Sequence, residues 1–211
     1  MAKRSKSSRR WLQEHETDPF VKAARAAGYR SRAVYKLEEI ERTDRIIRPG
    51  GTIVDLGAAP GGWSQFAAQL RRRRGDLAGR IIASDILPME PLPGVEFIQG
   101  DFSEDAVCTA ILERVGTGGA QLVMSDMAPN MSGIPDVDHA RGMYLVELSL
   151  DFAEKALARG GDYLAKVFQG RDYQPFVQRL RGAFGSVKVR KPKASRSRSA
   201  ELYLLARDFR L

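Results

Sequence analysis

One cysteine, two histidines and no long apolar run set the first limits on this 211-residue chain. Cys108 alone excludes an internal disulfide and suits a reducing compartment, so a cytoplasmic location is expected. It lies in a helical run before Ile111 and Leu112 and reads as a small core residue. His15 and His139 are far apart and have no cysteine partners, so no metal site is expected. No stretch approaches the ~20 apolar residues of a membrane span, and no signal-peptide core is present. The chain also lacks G-x-G-x-x-G, which makes a dinucleotide dehydrogenase the weakest reading.

Basic residues outnumber acidic ones at both ends but not in the middle. Residues 1–45 carry 12 basic and 7 acidic side chains, residues 46–185 carry 14 and 17, and residues 186–211 carry 8 and 2. The whole excess of +8 therefore lies in the terminal regions, the pattern of a clamp for a polyanion. Residues 1–10 hold five basic groups and little that can enter a core, so a disordered nucleic-acid arm is expected there. Arg71–Arg74 closes a helical run before Gly75 and reads as a solvated terminus favoured by the helix dipole. The basic loop Ser195–Ser199 lies between the last two strands and is as well suited to RNA contact as to being a plain loop.

The remainder alternates strand and helix. Ser31 reads as the N-cap of a helix to about Arg42. Strands are expected at 53–56, 80–84, 95–98, 122–125 and 162–168, with helices at 63–72, 106–115, 142–158 and 173–183. Gly160-Gly161 reads as a helix stop, and 187–190 and 202–206 as a closing antiparallel edge. The expected fold is α/β: a Rossmann-like, mostly parallel seven-stranded sheet with helices on both faces. One domain over 1–211 is expected, with residues 11–45 a helical RNA-contacting region and 46–211 the catalytic core.

The segment Thr52–Gln65 carries the most information. A β-branched run ending in Asp55 meets a Gly/Ala loop and then a helix with Trp63, Phe66, Ala67 and Leu70 on one face. Small residues there let backbone approach a ligand at the strand's carboxyl end. Each strand ends in a polar group: Asp55, Asp85, Asp101, Asp126, and Lys166 inside the fifth. One such residue is easily a turn or cap, but five in register point to a cationic, ribose-bearing ligand such as S-adenosylmethionine.

With Ser31–Leu37, Asp55–Gln65, Ser125–Gly133, Lys166–Gly170, Val187–Pro192 and Ser195–Tyr203, the chain resembles the RrmJ/FtsJ family of S-adenosylmethionine-dependent ribose 2′-O-methyltransferases, in its bacterial large-subunit rRNA branch. The likeness runs from about Ser7 to Ala206. It implies a catalytic tetrad of Lys36, Asp126, Lys166 and Glu201, with Lys166 as proton acceptor. It implies cofactor contacts at Gly61, Trp63, Asp85, Asp101 and Asp126, with S-adenosylhomocysteine as the product and no metal. Trp63 also fits a core anchor, Lys36 a surface lysine, and Glu201 a charge guarding a sheet edge. The implied reaction methylates a uridine in the A loop of 23S rRNA within the large ribosomal subunit. A tRNA anticodon loop is the alternative substrate. A non-catalytic assembly factor is the alternative class, disfavoured because a pure binder has no use for the tetrad. A cytoplasmic monomer with no membrane contact is expected.

Overall fold

The computed structural model describes residues 17–196 and 199–211. The basic arm expected over residues 1–10 lies outside them. The first two helices are α1 (Pro19–Ala26) and α2 (Val34–Asp44). Seven strands follow: β1 (Ile53–Leu56), β2 (Ile81–Asp85), β3 (Glu96–Gln99), β4 (Ala120–Ser125), β5 (Leu157–Phe168), β6 (Phe184–Arg190) and β7 (Glu201–Phe209). Between them run α3 (Gly62–Arg73), α4 (Asp105–Val115), α5 (Pro135–Ala156) and α6 (Tyr173–Ala183). Among the described residues no helix is long and apolar enough to cross a membrane.

The sheet order is β3-β2-β1-β4-β5-β7-β6. The five strands from β3 to β5 are parallel, whereas β7 is antiparallel to both β5 and β6. Alternate residues feed two cores. Ile53, Leu122, Leu164 and Leu205 face α2 and α3, packing with Leu37, Ile40, Trp63 and Phe66. Val54, Val123, Ala165 and Leu204 face the other side, with Ile111, Val146, Leu150 and Leu180 from α4, α5 and α6. Helices on both faces explain why β1 is buried at all four positions rather than alternating. Strand order reverses between β1 and β4, and such a switch point opens a crevice at the strands' carboxyl ends.

Four local expectations need correction. Ser31 does not cap α2. A tight turn in which Val34 N donates to Ser31 O (3.4 Å) precedes the helix, and Ala33 occupies the cap position. Helix α5 starts at Pro135, not Gly142. Proline at the first helical position was the start signal, and Gly142 lies mid-helix. Gly160-Gly161 does not stop that helix. It ends at Ala156, and the glycines lie within β5, where its register against β4 shifts between Ala120 and Leu122. Arg71–Arg74 is only half a solvated terminus. The Arg71 guanidinium is buried, donating to the Arg80 carbonyl at 3.0 Å and to Gly51 O. Arg74 reaches Ile47 O and Glu41, at 3.0 and 2.8 Å. Helix α1, capped by Asp18 through Phe20 N (2.9 Å), was not anticipated.

Candidate active site

The crevice at the switch point is a cavity of about 550 Å³ walled by the loops after β1, β2, β3 and β4. Asp85, Asp101 and Asp126 stand on its lining. The Asp85 carboxylate is set by the Ala59 and Leu87 amides, each donating at 2.8 Å. Asp101 accepts from the Ser103 amide and hydroxyl. The β1–α3 loop approaches closely because it is built of glycine where glycine is required. Gly57 has a φ of +72°, and a Cβ there would come within 2.2 Å of Met127 Cγ. Gly61, at φ +103°, takes the cap position of α3.

Asp55 does not face this cavity. It is 1% exposed, and Ser64 Oγ of α3 donates to it at 2.6 Å. Burial, with the charges of Asp126 and Asp85, raises its pKa to about 7 against the Ser64 bond that opposes the shift. Its period-2 position inside β1 turns it into the layer under α3. Trp63 likewise sits in the core. Its indole donates to Ala33 O at 2.8 Å and its ring packs 5.8 Å from that of Tyr203. Neither Gly61 nor Trp63 is on the cavity lining.

At the cavity's β4 side the four residues of the implied tetrad meet. Asp126 follows β4, and Lys166 lies on the adjacent β5. Antiparallel pairing sets Lys166 opposite Tyr203 and Phe168 opposite Glu201. Helix α2 delivers Lys36 from above its apolar face. Lys166 Nζ donates to the Asp126 carbonyl at 2.6 Å and lies 3.2 Å from Asp126 Oδ1. Lys36 Nζ is 2.8 Å from Glu201 Oε1 and 3.9 Å from Asp126 Oδ1. Lys36 and Lys166 are only 9% and 7% exposed, so neither is a solvated surface lysine. Two lysines and two carboxylates pair within one cluster, which is what makes their burial tolerable.

Two members of the network were not singled out in advance. The Tyr203 hydroxyl receives Lys36 Nζ at 2.9 Å and donates to Asp126 Oδ1 at 2.6 Å. Burial and the two neighbouring carboxylates hold it well above the ordinary phenol range, so it stays a donor. The clue was available: Tyr203 is two residues from Glu201, hence on the same strand face. Ser195 Oγ donates to Glu201 Oε1 at 2.8 Å and ties the basic loop to the cluster. Burial would raise Glu201, but the Lys36 and Lys166 charges and the bonds from Lys36 and Ser195 outweigh it. Glu201 is thus held below the usual carboxylate range. In that same loop, Arg198 lies outside the described residues.

A family model described as FtsJ-like methyltransferase matches residues 29–209. The chain belongs to this family. The ribosomal RNA large subunit methyltransferase E of Dichelobacter nodosus is 58% identical over 98% of this chain and 97% of that protein. The protein of the same name from Pseudomonas aeruginosa PAO1 is 57% identical, covering 98% of each. A solved ribosomal RNA methyltransferase from Plasmodium falciparum has 31% identity and a TM-score of 0.75, over 86% of this chain and 98% of that one. This FtsJ-family chain is therefore a methyltransferase, and the mostly parallel seven-stranded sheet is the fold it shares with such enzymes.

Proposed function

We propose that this FtsJ-family enzyme transfers a methyl group from S-adenosylmethionine to the ribose 2′-hydroxyl of a uridine in the A loop of 23S rRNA, within the large ribosomal subunit. The observation that carries the reading is the meeting of Lys36, Asp126, Lys166 and Glu201 beside the crevice. The names of the relatives that match nearly end to end supply the substrate class.

The residues around the crevice fit the cofactor. Three carboxylates on a cavity of this size suit a sulfonium cation bearing a ribose diol and an adenine amine. Asp85 is assigned to the diol, Asp101 to the adenine amino group, and Asp126 to the border with the reacting centre. Gly61 and Trp63 act through the start of α3, whose first amide N–H groups lack helical acceptors and suit a carboxylate. When bound, S-adenosylmethionine supplies an electrophilic methyl and leaves as S-adenosylhomocysteine.

The chain's own residues supply orientation and proton transfer. Lys166 takes the 2′-hydroxyl proton on Nζ. Asp126 aims it through both its carbonyl and its carboxylate. Lys36 and Glu201 hold the ribose and balance the charge that the cluster changes when a proton moves. The basic terminal regions embrace the RNA backbone. Labelled methyl transfer onto undermodified large subunits, followed by nucleotide mapping, tests the reading. Label on one ribose of the A loop is expected, and label on a base or on no RNA would refute it.

A further inference from the structure

The loop after β4 has a second cavity on its far side. It measures about 380 Å³ and lies between the start of α5 and the end of β5. Phe168, Met131 and Pro135 supply its apolar lining, and Gln169, His139 and Asp138 its polar groups. None of its lining residues is shared with the first cavity, although Asp126–Gly133 contributes to both walls. We propose that this cavity receives the base of the acceptor nucleotide, a uracil swung out of its stack. The proposal rests on the reading above, because it places the base relative to a ribose held at Lys166.

Position is the first support. Phe168 follows Lys166 by two residues on β5, about 6.6 Å along the strand. A nucleoside whose 2′-hydroxyl meets Lys166 Nζ spans that distance with its own base. The Asp126–Gly133 loop then separates donor from acceptor, with the reacting cluster at its root.

Chemistry is the second. Single-stranded bases are held by aromatic stacking and read along their hydrogen-bonding edges. Phe168 offers a ring and Met131 a polarizable thioether. The Gln169 amide can both donate and accept, as the imide edge of uracil requires. Met131 and Ile134 are 69% and 58% exposed on the same loop, apolar tips that gain by covering a base.

Construction is the third. The loop is fastened: Asp138 of α5 accepts from the Ser132 amide and hydroxyl at 2.7 Å each and from the Gly133 amide at 3.0 Å. His139 Nε2 is anchored 3.0 Å from Asp172 Oδ2. Two glycines are shaped to the walls. A Cβ at Gly170 would lie 2.1 Å from His139 Cε1, and one at Gly142 would crowd the Phe168 ring at 3.3 Å. Glycine in the middle of a helix is unfavourable by about 1 kcal/mol against alanine, so Gly142 is explained by the ring it seats.

The test uses the full-length enzyme and undermodified large subunits carrying either the normal uridine or a cytidine at the mapped position. Phe168→Ala should slow single-turnover methylation by roughly 5- to 150-fold, the range of a lost base–aromatic stack. Met131→Ala should slow it by roughly two- to tenfold. Both should bind S-adenosylmethionine normally by calorimetry. Gln169→Ala should narrow the enzyme's preference for uridine over cytidine, a change that general loosening of the fold would not produce. Met131 and Gln169 are exposed, so these two variants carry the test if Phe168→Ala fails to fold. Unchanged rates and intact uridine preference in both would overturn the base pocket while the functional reading stands. Wild-type enzyme that labels no ribose in these subunits would overturn both.

Discussion

Replacing Asp55 by asparagine should stabilise the protein above neutral pH and do progressively less as the pH falls. Asp55 is enclosed by β1 and α3, with a pKa raised to about 7 from 3.8. A group whose folded pKa is raised contributes stability that is whole below the unfolded value and is lost as pH rises through the folded one. With each unit worth 1.36 kcal/mol, the loss approaches about 4 kcal/mol by pH 8. Roughly 2 to 3 kcal/mol of it falls between pH 5 and pH 8. Asparagine has nearly the same shape and can keep a bond to Ser64, but it does not ionise. For a chain of this size, 1 kcal/mol moves Tm by about 2–4 °C. The Tm of Asp55→Asn relative to wild type should therefore rise by roughly 5–10 °C between pH 5 and pH 8. Thermal melts at both pH values read this directly, and any constant effect of the new amide cancels in the difference. Parallel curves for the two proteins would show that Asp55 is not a carboxyl forced to titrate in the core.

Other substitutions address the site and the clamp. Asp85→Ala should weaken S-adenosylmethionine binding by calorimetry in a protein with an unchanged circular dichroism spectrum; unchanged affinity would remove Asp85 from the cofactor site. Deleting residues 1–10 should lower RNA affinity and flatten its dependence on salt, since fewer counterions are released. An unchanged salt slope would place the RNA elsewhere. Glu201→Ala should slow single-turnover methylation less than loss of Lys166, because Glu201 pairs with Lys36 and the proposed proton acceptor is Lys166. A loss equal to or larger than that of Lys166→Ala would give it a direct role.

The sheet was readable because β-branched runs and glycine loops obey local rules. Strands β1 to β4 were anticipated to within two residues at each end. The clustering of the four residues of the implied tetrad was readable only through resemblance. Lys36 and Glu201 are 165 positions apart, and each alone looks like a surface charge until β7 inserts beside β5. What escaped detection depends on packing. The strand-end pattern placed Asp55 with the ligand-facing aspartates, yet one residue of register turns it into the core. Gly142 looked like a helix boundary because its reason, the Phe168 ring, comes from β5. The inward turn of Arg71 likewise depends on acceptors at Gly51 and Arg80 that no local pattern reveals.

The most direct test of the account is single-turnover methylation by Lys166→Ala on undermodified large subunits, measured across pH. Loss of a general base costs about 10²- to 10⁴-fold, so the variant should retain binding of both S-adenosylmethionine and RNA while its rate falls by that amount. A general base acts only when deprotonated, so the wild-type rate should climb with pH, and the variant should lose that dependence. Near-normal methylation by Lys166→Ala, with the wild-type pH profile, would contradict the assignment of the proton acceptor and with it the central reading of the site.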